Sequence, residues 1–402
     1  MSQQLDLFTV AESYAQPTSG RLSNDELYRI ATGRAGIDRA FLESKTPIGK
    51  EGTPRNLLKR EIRWHQQTLR QMGLLKRTSA RGVWELTEAG KSKLRKIKSG
   101  ISVLAFSTDL GIAIWGRCED TFKNLAEPIF LALTSPPYPL KQPRAYGNPD
   151  ADEYVEFICK ALEPIVVNLV PGGNVVLNVG DVFEDHSPAK STYIEELIIA
   201  ARKRFGLHLM NRIIWSSNKP PGPVQWASKK RMQLNEGYEF CLWFCNDPNQ
   251  CIADNRRILE PHTESHQKLM QRGGERRSVV NGDGAYRLYK GSYGQQTPGR
   301  IPRNIFQVAN TCQSQREYKQ KARDLGLVPH GATMPLALAR KLIRFLTDVE
   351  QLVVDPFAGS MTTPLASELE GRRWAATDVV YDYVRGGAER LTEYAGFRLH
   401  LE

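Results

Sequence analysis

The spacing of apolar and polar positions changes several times along the chain. Residues 1–20 are polar and without period, which predicts a flexible arm. From Leu22 onward helical spacing sets in. Ser23-Asn24-Asp25-Glu26 reads as an N-cap leading into a helix through Leu27, Ile30 and Ala31. Ile62, Trp64, Leu69, Met72 and Leu75 mark a second, basic helix ending near Gly73. Residues 74–78 and 83–87, joined across Ala80-Arg81-Gly82, predict two short strands with a glycine turn, the shape of a β-wing after a helix. Another helix is expected to begin at residues 87–91. It runs into the basic stretch 91–98, and Ser99-Gly100 marks a boundary.

Beyond the boundary the pattern becomes an alternation of apolar runs and helical periods. Residues 103–115 and 129–133 are apolar. Tyr154, Phe157, Ile158, Leu162, Ile165 and Leu169 recur at helical spacing, Pro171-Gly172-Gly173 predicts a turn, and residues 174–181 read as a buried strand ending in polar groups. A helix over 193–204, strands over 207–215 and 239–244, and later strands over 351–355 and 372–377 continue the series. Strands alternating with helices predict an α/β fold with a doubly wound, mostly parallel sheet. Residues 247–310 interrupt it. They are rich in Arg, Gly, Gln and Tyr, with basic positions at Arg256, Arg257, Lys268, Arg272, Arg276, Arg277, Arg287, Lys290, Arg300 and Arg303. A structureless insert of that length is either functional or disordered, and its Arg, Gln and Tyr content favours a target-reading segment over a plain disordered loop.

Composition adds a partner and a compartment. The chain has 402 residues, 41% of them hydrophobic, and a formal net charge of +11, which favours a polyanionic partner. No apolar run approaches the roughly 20 residues of a membrane span. The start lacks a signal-peptide layout, so no membrane association and a cytoplasmic location are expected. Six cysteines in a chain this long do not suggest a disulfide framework. Cys241 and Cys245 with His262 and His266 loosely resemble zinc spacing. On one strand, however, the two thiols would stand about 13 Å apart, so core packing is expected and no metal.

Two loops carry the candidate chemistry. The run 129–133 stops at Ser135-Pro136-Pro137-Tyr138. Two prolines cannot extend a central strand, and each restricts the residue before it. The stiff loop displays a hydroxyl, a carbonyl and an aromatic face at the carboxyl end of a strand, where open α/β sheets bind ligands. A heterocycle stacked on Tyr138 would donate its exocyclic NH2 to the Ser135 hydroxyl and the Pro136 carbonyl. Those acceptors would localise the nitrogen lone pair and spread the positive charge of a methylated amine. The second loop follows the strand ending in Asp355. It reads Pro356-Phe357-Ala358-Gly359-Ser360-Met361-Thr362-Thr363, then a helix, then a strand ending in Asp378. A small-residue turn before a helix lets a ligand approach the backbone, and an acid about 20 residues on suits a pair of ribose hydroxyls.

Together these loops resemble the β group of S-adenosylmethionine-dependent DNA amino-methyltransferases. In that family the catalytic loop is (Ser/Asp/Asn)-Pro-Pro-(Tyr/Phe/Trp) and the cofactor loop Asp-Pro-Phe-x-Gly-Ser-Gly-Thr-Thr. Both are present here in the β-group order, with Met361 standing where the family has Gly. His330-Gly331-Ala332-Thr333-Met334-Pro335 resembles the segment preceding the cofactor loop. The resemblance covers about residues 103–391 and implies a Rossmann-like sheet and S-adenosylmethionine as cofactor. It implies catalytic residues Ser135, Pro136, Pro137 and Tyr138, and cofactor residues Thr134, Asp355, Phe357, Ala358, Gly359, Ser360, Thr362 and Asp378. Ser at position 135 implies transfer to cytosine N4, adenine N6 and an inactive DNA-binding regulator being the alternatives. Residues 60–90 resemble the N-terminal winged-helix domain of some restriction endonucleases. The organisation expected is an arm at 1–20, a winged-helix DNA-binding domain at 21–99 and a methyltransferase domain at 100–402. Double-stranded DNA is the implied partner, along with a possible cognate restriction endonuclease.

Overall fold

A computed structural model of the chain describes residues 10, 13–14, 20–48, 53–71, 74–87, 97, 99–139, 151–218 and 224–401. Residues 88–96 of the helix expected after the wing, and the polar stretch 141–148, lie outside the described residues.

The N-terminal unit runs β1 (Arg21–Ser23), α1 (Asn24–Arg34), α2 (Arg39–Glu43), β2 (Thr46–Ile48), β3 (Thr53–Arg55), α3 (Leu57–Gln71), β4 (Leu75–Arg77) and β5 (Val83–Leu86). Ser23 caps α1 through a reciprocal box. Its hydroxyl accepts from the Glu26 N–H at 3.3 Å, and the Glu26 carboxylate accepts from the Ser23 N–H at 2.9 Å. The wing is the antiparallel sheet β1-β5-β4, one strand larger than the two-strand expectation. α3 turns Ile62, His65, Gln66 and Leu69 inward, leaving Arg60, Arg63, Trp64 and Arg70 exposed. The expected arm needs correcting. Val10 and Tyr14 are fully buried in this unit's core, and Gln66 donates to the Tyr14 hydroxyl at 2.7 Å. These two apolar residues stand one helical turn apart, and nothing longer in the pattern announces them.

The larger unit is built on a ten-stranded sheet, with a separate two-stranded hairpin. In chain order it contains β6 (Ser102–Ser107), β7 (Gly111–Gly116), α4 (Cys118–Phe122), β8 (Ile129–Thr134), α5 (Ala151–Val166), β9 (Leu169–Val179), α6 (Tyr193–Phe205), β10 (His208–Ser216), β11 (Tyr238–Cys245), α7 (Glu264–Gln271), β12 (Val279–Asn281), β13 (Tyr286–Leu288), β14 (Ile305–Gln307), α8 (Gln313–Asp324), α9 (Leu336–Leu346), β15 (Leu352–Asp355), α10 (Thr362–Glu370), β16 (Arg373–Asp378), α11 (Tyr381–Ala388) and β17 (Arg398–Leu399). The spatial order is β14-β10-β11-β9-β8-β15-β16-β7-β6-β17. The centre, β9-β8-β15-β16-β7, is parallel throughout, and β11 is reversed between β9 and β10. Tyr154, Ile158, Leu162 and Ile165 of α5 share one face of the sheet with Leu197 of α6. Leu338, Leu342 and Leu346 of α9 cover the other. Helices on both faces explain why the central strands read as continuous apolar runs.

Two expectations shift. The turn predicted at Pro171-Gly172-Gly173 lies inside β9 as a bulge, the pairing passing from Ile129↔Leu169 to Leu131↔Asn174. Gly172 takes φ +77°, and a Cβ there would lie 1.9 Å from the Gln250 carbonyl oxygen. The segment 247–310 is not structureless. It holds α7 and the β12–β13 hairpin, and β14 joins the main sheet beside β10. Ile258, Met270 and Phe306 anchor it, too far apart to form a period. Cys241 and Cys245 are buried on β11, as core packing requires. Among the described residues no helix is long and apolar enough to cross a membrane.

Candidate active site

β8 and β15 are neighbours in the sheet and end at the same edge, so the two candidate loops start side by side. Their roots are tied directly. The Thr134 hydroxyl at the end of β8 donates to Asp355 Oδ1 at the end of β15, 2.6 Å away, and both residues are buried. The Phe357 N–H donates to the same oxygen at 3.0 Å. Burial pushes the Asp355 carboxyl up from 3.8 to about 6, against the pull of the Thr134 and Thr363 hydroxyls and the Phe357 N–H.

The 135–138 loop is held at its far end by a residue the sequence reading did not single out, on a strand that it did. The Tyr138 hydroxyl donates to Glu239 Oε2 at 2.7 Å, and Asn178 Nδ2 donates to that oxygen at 3.3 Å. Glu239 is the second residue of β11. Because β11 is reversed, its first residues share the edge where β8 and β9 end. The ring lies against Gly180, where an added Cβ would stand 3.1 Å from it. Burial, then the Glu239 carboxylate, drives the Tyr138 phenol well above its ordinary range, so it stays a neutral donor. Ser135 and Pro137 are half-buried, and Pro136 is buried.

The 356–361 loop is built from its backbone. The Ala358 N–H donates to the Thr377 carbonyl at 2.9 Å, the Met361 N–H to the Ala358 carbonyl at 2.8 Å, and the Gly359 N–H to Asp378 Oδ2 at 2.9 Å. The other Asp378 oxygen accepts from the Val380 N–H at 2.9 Å. Gly359 has φ +47° and faces the His330 ring, which an added Cβ would meet at 3.4 Å. Phe357 presents a half-buried ring, tilted against Phe157 with centroids 5.5 Å apart. Arg390, which the sequence reading missed, braces the loop from behind. Its Nη1 donates to the Ser360 carbonyl at 2.7 Å and the Thr362 hydroxyl at 2.9 Å, and its Nη2 donates to the Ser314 hydroxyl at 2.7 Å. Burial lowers its guanidinium to about 10, so it remains charged.

Met361 sits at φ +57°, the left-handed region, which accounts for glycine at this place in the motif. Its side chain is buried in the cluster of Trp374, Val384 and Ala388, away from the edge of the sheet. Gly387 makes the room: a Cβ there would lie 2.4 Å from the Met361 side chain. The backbone strain costs about 1–2 kcal/mol. Burying the thioether returns about 1.5–3 kcal/mol, so packing holds the residue in place.

All the sequence-derived candidates therefore gather at one sheet edge. Thr134 and Asp355 join the loop roots. Ser135, Pro136, Pro137 and Tyr138 form one wall. Phe357, Ala358, Gly359, Ser360, Thr362 and Asp378 form the turn, with Ala358, Ser360 and Thr362 themselves buried. Glu239, Asn178 and Arg390 complete it. An edge with an acid at a strand end, a glycine turn and an aromatic face suits a nucleoside. The adjacent hydroxyl, carbonyl and anchored tyrosine suit a flat base bearing an amino group.

The family model described as DNA methylase, of the N6/N4 type, matches residues 129–389. A second, the Mrr N-terminal domain, matches residues 10–96. The type II methyltransferase M.PvuII of Proteus hauseri is 28% identical over 291 residues, 72% of this chain and 86% of that protein. M.ScaI of Streptomyces caespitosus is 21% identical over 75% of this chain and 87% of its own length. Among solved structures, the PvuII DNA methyltransferase, titled cytosine-N4-specific, superposes with a TM-score of 0.56 at 26% identity, covering 71% of this chain and 88% of that one.

Proposed function

This chain belongs to the N6/N4 DNA methylase family, and from that premise we propose that it transfers a methyl group from S-adenosylmethionine to the exocyclic N4 amine of cytosine in double-stranded DNA. The observation that carries the proposal is the 2.6 Å bond from Thr134 to Asp355, which fixes an amine-holding loop beside a nucleoside-holding turn.

The residues fit the donor. Asp378, whose two oxygens accept from the Gly359 and Val380 N–H groups at the end of its strand, is the acid that would accept the ribose hydroxyls. Phe357 offers its ring to the adenine, and Gly359 lets a ligand approach the backbone. When bound, the donor supplies a methyl group activated by its sulfonium centre. The chain does the rest. A cytosine turned out of the duplex stacks on Tyr138. Ser135 and Pro136 accept its amino hydrogens, which localises the nitrogen lone pair and stabilises the positive charge growing there. Positioning supplies much of the rate. Glu239, by accepting the phenolic hydrogen, fixes the tyrosine and enriches its ring for contact with the cationic amine.

Ser at position 135 and the similarity to a protein titled cytosine-N4-specific both support cytosine over adenine. The basic segment 247–310 serves as the target reader. Its hairpin exposes Tyr286 beside Arg287, whose guanidinium lies 6.0 Å from the Tyr289 ring. The winged helix adds DNA contacts through Arg60, Arg63, Arg70 and the wing residue Arg81, all exposed. A cognate restriction endonuclease is the partner such a modification enzyme would have.

The test is methyl transfer to unmethylated mixed-sequence DNA, followed by digestion and mass spectrometry of the nucleosides, with Ser135→Ala in parallel. N4-methylcytosine that disappears in the variant is expected. N6-methyladenine overturns the base assignment, and no methylated nucleoside overturns the transferase reading.

A further inference from the structure

Base extraction leaves a hole in the duplex, and one loop of the chain carries exposed apolar side chains that the site described so far does not use. β11 is preceded by a loop whose described part spans residues 224–237. It begins with one turn of π-helix, Gln225–Lys229, a conformation that concentrates at functional sites. Lys229, Lys230 and Arg231 follow in succession and are all exposed. Arg231 takes φ +56°, a left-handed conformation that non-glycine residues adopt at a cost, and it reverses the chain. The next two N–H groups, of Met232 and Gln233, both donate to the Trp226 carbonyl, at 2.8 and 3.2 Å. Gln233 Nε2 donates to the Pro188 carbonyl at 2.9 Å, Lys190 pairs with Glu236, and the Ser217 N–H donates to the Gly237 carbonyl at 3.1 Å. The loop is thus pinned on both sides of its tip.

The tip itself is apolar and faces outward. Leu234 is 87% exposed and Met232 62%, while Val224, before the π-helical turn, is 38% exposed. A lone exposed leucine needs no explanation. Three apolar side chains on one braced loop, beside three consecutive cations, call for one. Leu234 stands five residues before Glu239, whose carboxylate holds the Tyr138 phenol. Five residues of extended chain reach about 17 Å, so the tip is bound to stand near the base-holding loop.

We propose that Met232 and Leu234 form a wedge that enters the base stack of duplex DNA at the position the target base vacates, with Lys229, Lys230 and Arg231 holding the flanking phosphates. Apolar side chains inserted between bases are a known way to offset unstacking, and cations beside them set the register on the backbone. The inference rests on the DNA methyltransferase reading and assigns base extraction to a loop outside both family motifs.

The test uses the full chain and a duplex oligonucleotide carrying the sequence that the wild type methylates in mixed-sequence DNA. Two versions are compared. In one the target cytosine faces guanine, and in the other it faces an abasic position, where extraction is already easy. Leu234→Ala is expected to slow methyl transfer about tenfold on the paired duplex and to come within about twofold of wild type on the abasic one. Leu234→Met keeps the wild-type rate on both. Met232→Ala follows Leu234→Ala with a smaller loss. Ser135→Ala, which acts on the chemistry, fails equally on both duplexes and serves as the contrast. A wild-type rate for Leu234→Ala on the paired duplex, or an equal deficit on the two duplexes, overturns the wedge while leaving the methyltransferase reading intact. A wild-type chain that methylates no DNA overturns both.

Discussion

The two loops at the sheet edge are tied at their roots and otherwise held by opposite means. Residues 135–138 make no backbone ladder of their own. Their stiffness comes from two prolines, and their far end is anchored by the Tyr138 hydroxyl on Glu239 and by the ring against Gly180. Residues 356–361 are held by N–H groups that find carbonyls or Asp378, and by the half-buried Arg390 behind them. The first loop can lose a side-chain group without losing its shape. The second distributes its support, so that removing one group disturbs both ligand contacts and fold. Rate and binding should therefore separate cleanly between them.

Ser135→Ala is the strongest test of that separation. It should lower kcat by about 100- to 1,000-fold, the range for one lost transition-state contact. Affinity for S-adenosylmethionine and the melting temperature should both stay at wild-type values. A variant that binds the cofactor poorly would merge the two loops into one functional unit. Asp378→Ala should do the reverse, weakening cofactor binding in calorimetry by about 10- to 100-fold, since hydrogen bonds to a charged group are worth about 1.5–3 kcal/mol. It should also lower the melting temperature, because Gly359 and Val380 lose their acceptor. Glu239→Gln should cost about fivefold in kcat, since a neutral acceptor binds the phenol roughly half as strongly as a carboxylate. Tyr138→Phe should cost about the same, and the double variant no more than either. Additive losses would show that Glu239 acts by some route other than the tyrosine.

The smallest effect locates the shared root. Burial raises the Asp355 carboxyl from 3.8 to about 6, so the folded chain holds that proton more readily than the unfolded chain. Protonation then adds stability as pH falls through about 6, and that gain is lost as pH rises through it. Between about pH 7 and pH 5, wild type should gain about 1 kcal/mol on Asp355→Asn in denaturant titrations. Parallel stability curves for the two proteins would place the titration elsewhere.

What the sequence disclosed and what it hid follow from periodicity. The central strands and both loops were legible because a strand buried on both faces is a continuous apolar run, and its end is marked by prolines or glycines. The supports were not. Glu239 is one acid at the start of a strand. In an all-parallel sheet that end lies at the opposite edge, and only the reversal of β11 brings it to Tyr138. Arg390 lies beyond both motifs, in a stretch whose apolar period describes the helix it follows rather than the loop it braces. Val10 and Tyr14 gave one helical turn of signal, too short to set apart from an unstructured arm. The insert's anchors, Ile258, Met270 and Phe306, are single residues separated by polar chain, which no window over neighbouring positions detects.

Met361 and Gly387 have a consequence for how this chain can change. With the methionine in place, no side chain fits at 387, because even a methyl group would lie 2.4 Å from it. With glycine at 361, position 387 opens to alanine, and the left-handed strain disappears as well. The two sites therefore admit substitutions in one order: the 356–361 turn must shed its side chain before α11 can gain one. Taken in the other order, the added methyl group would lie 2.4 Å from the Met361 side chain and force the 356–361 turn or α11 to shift.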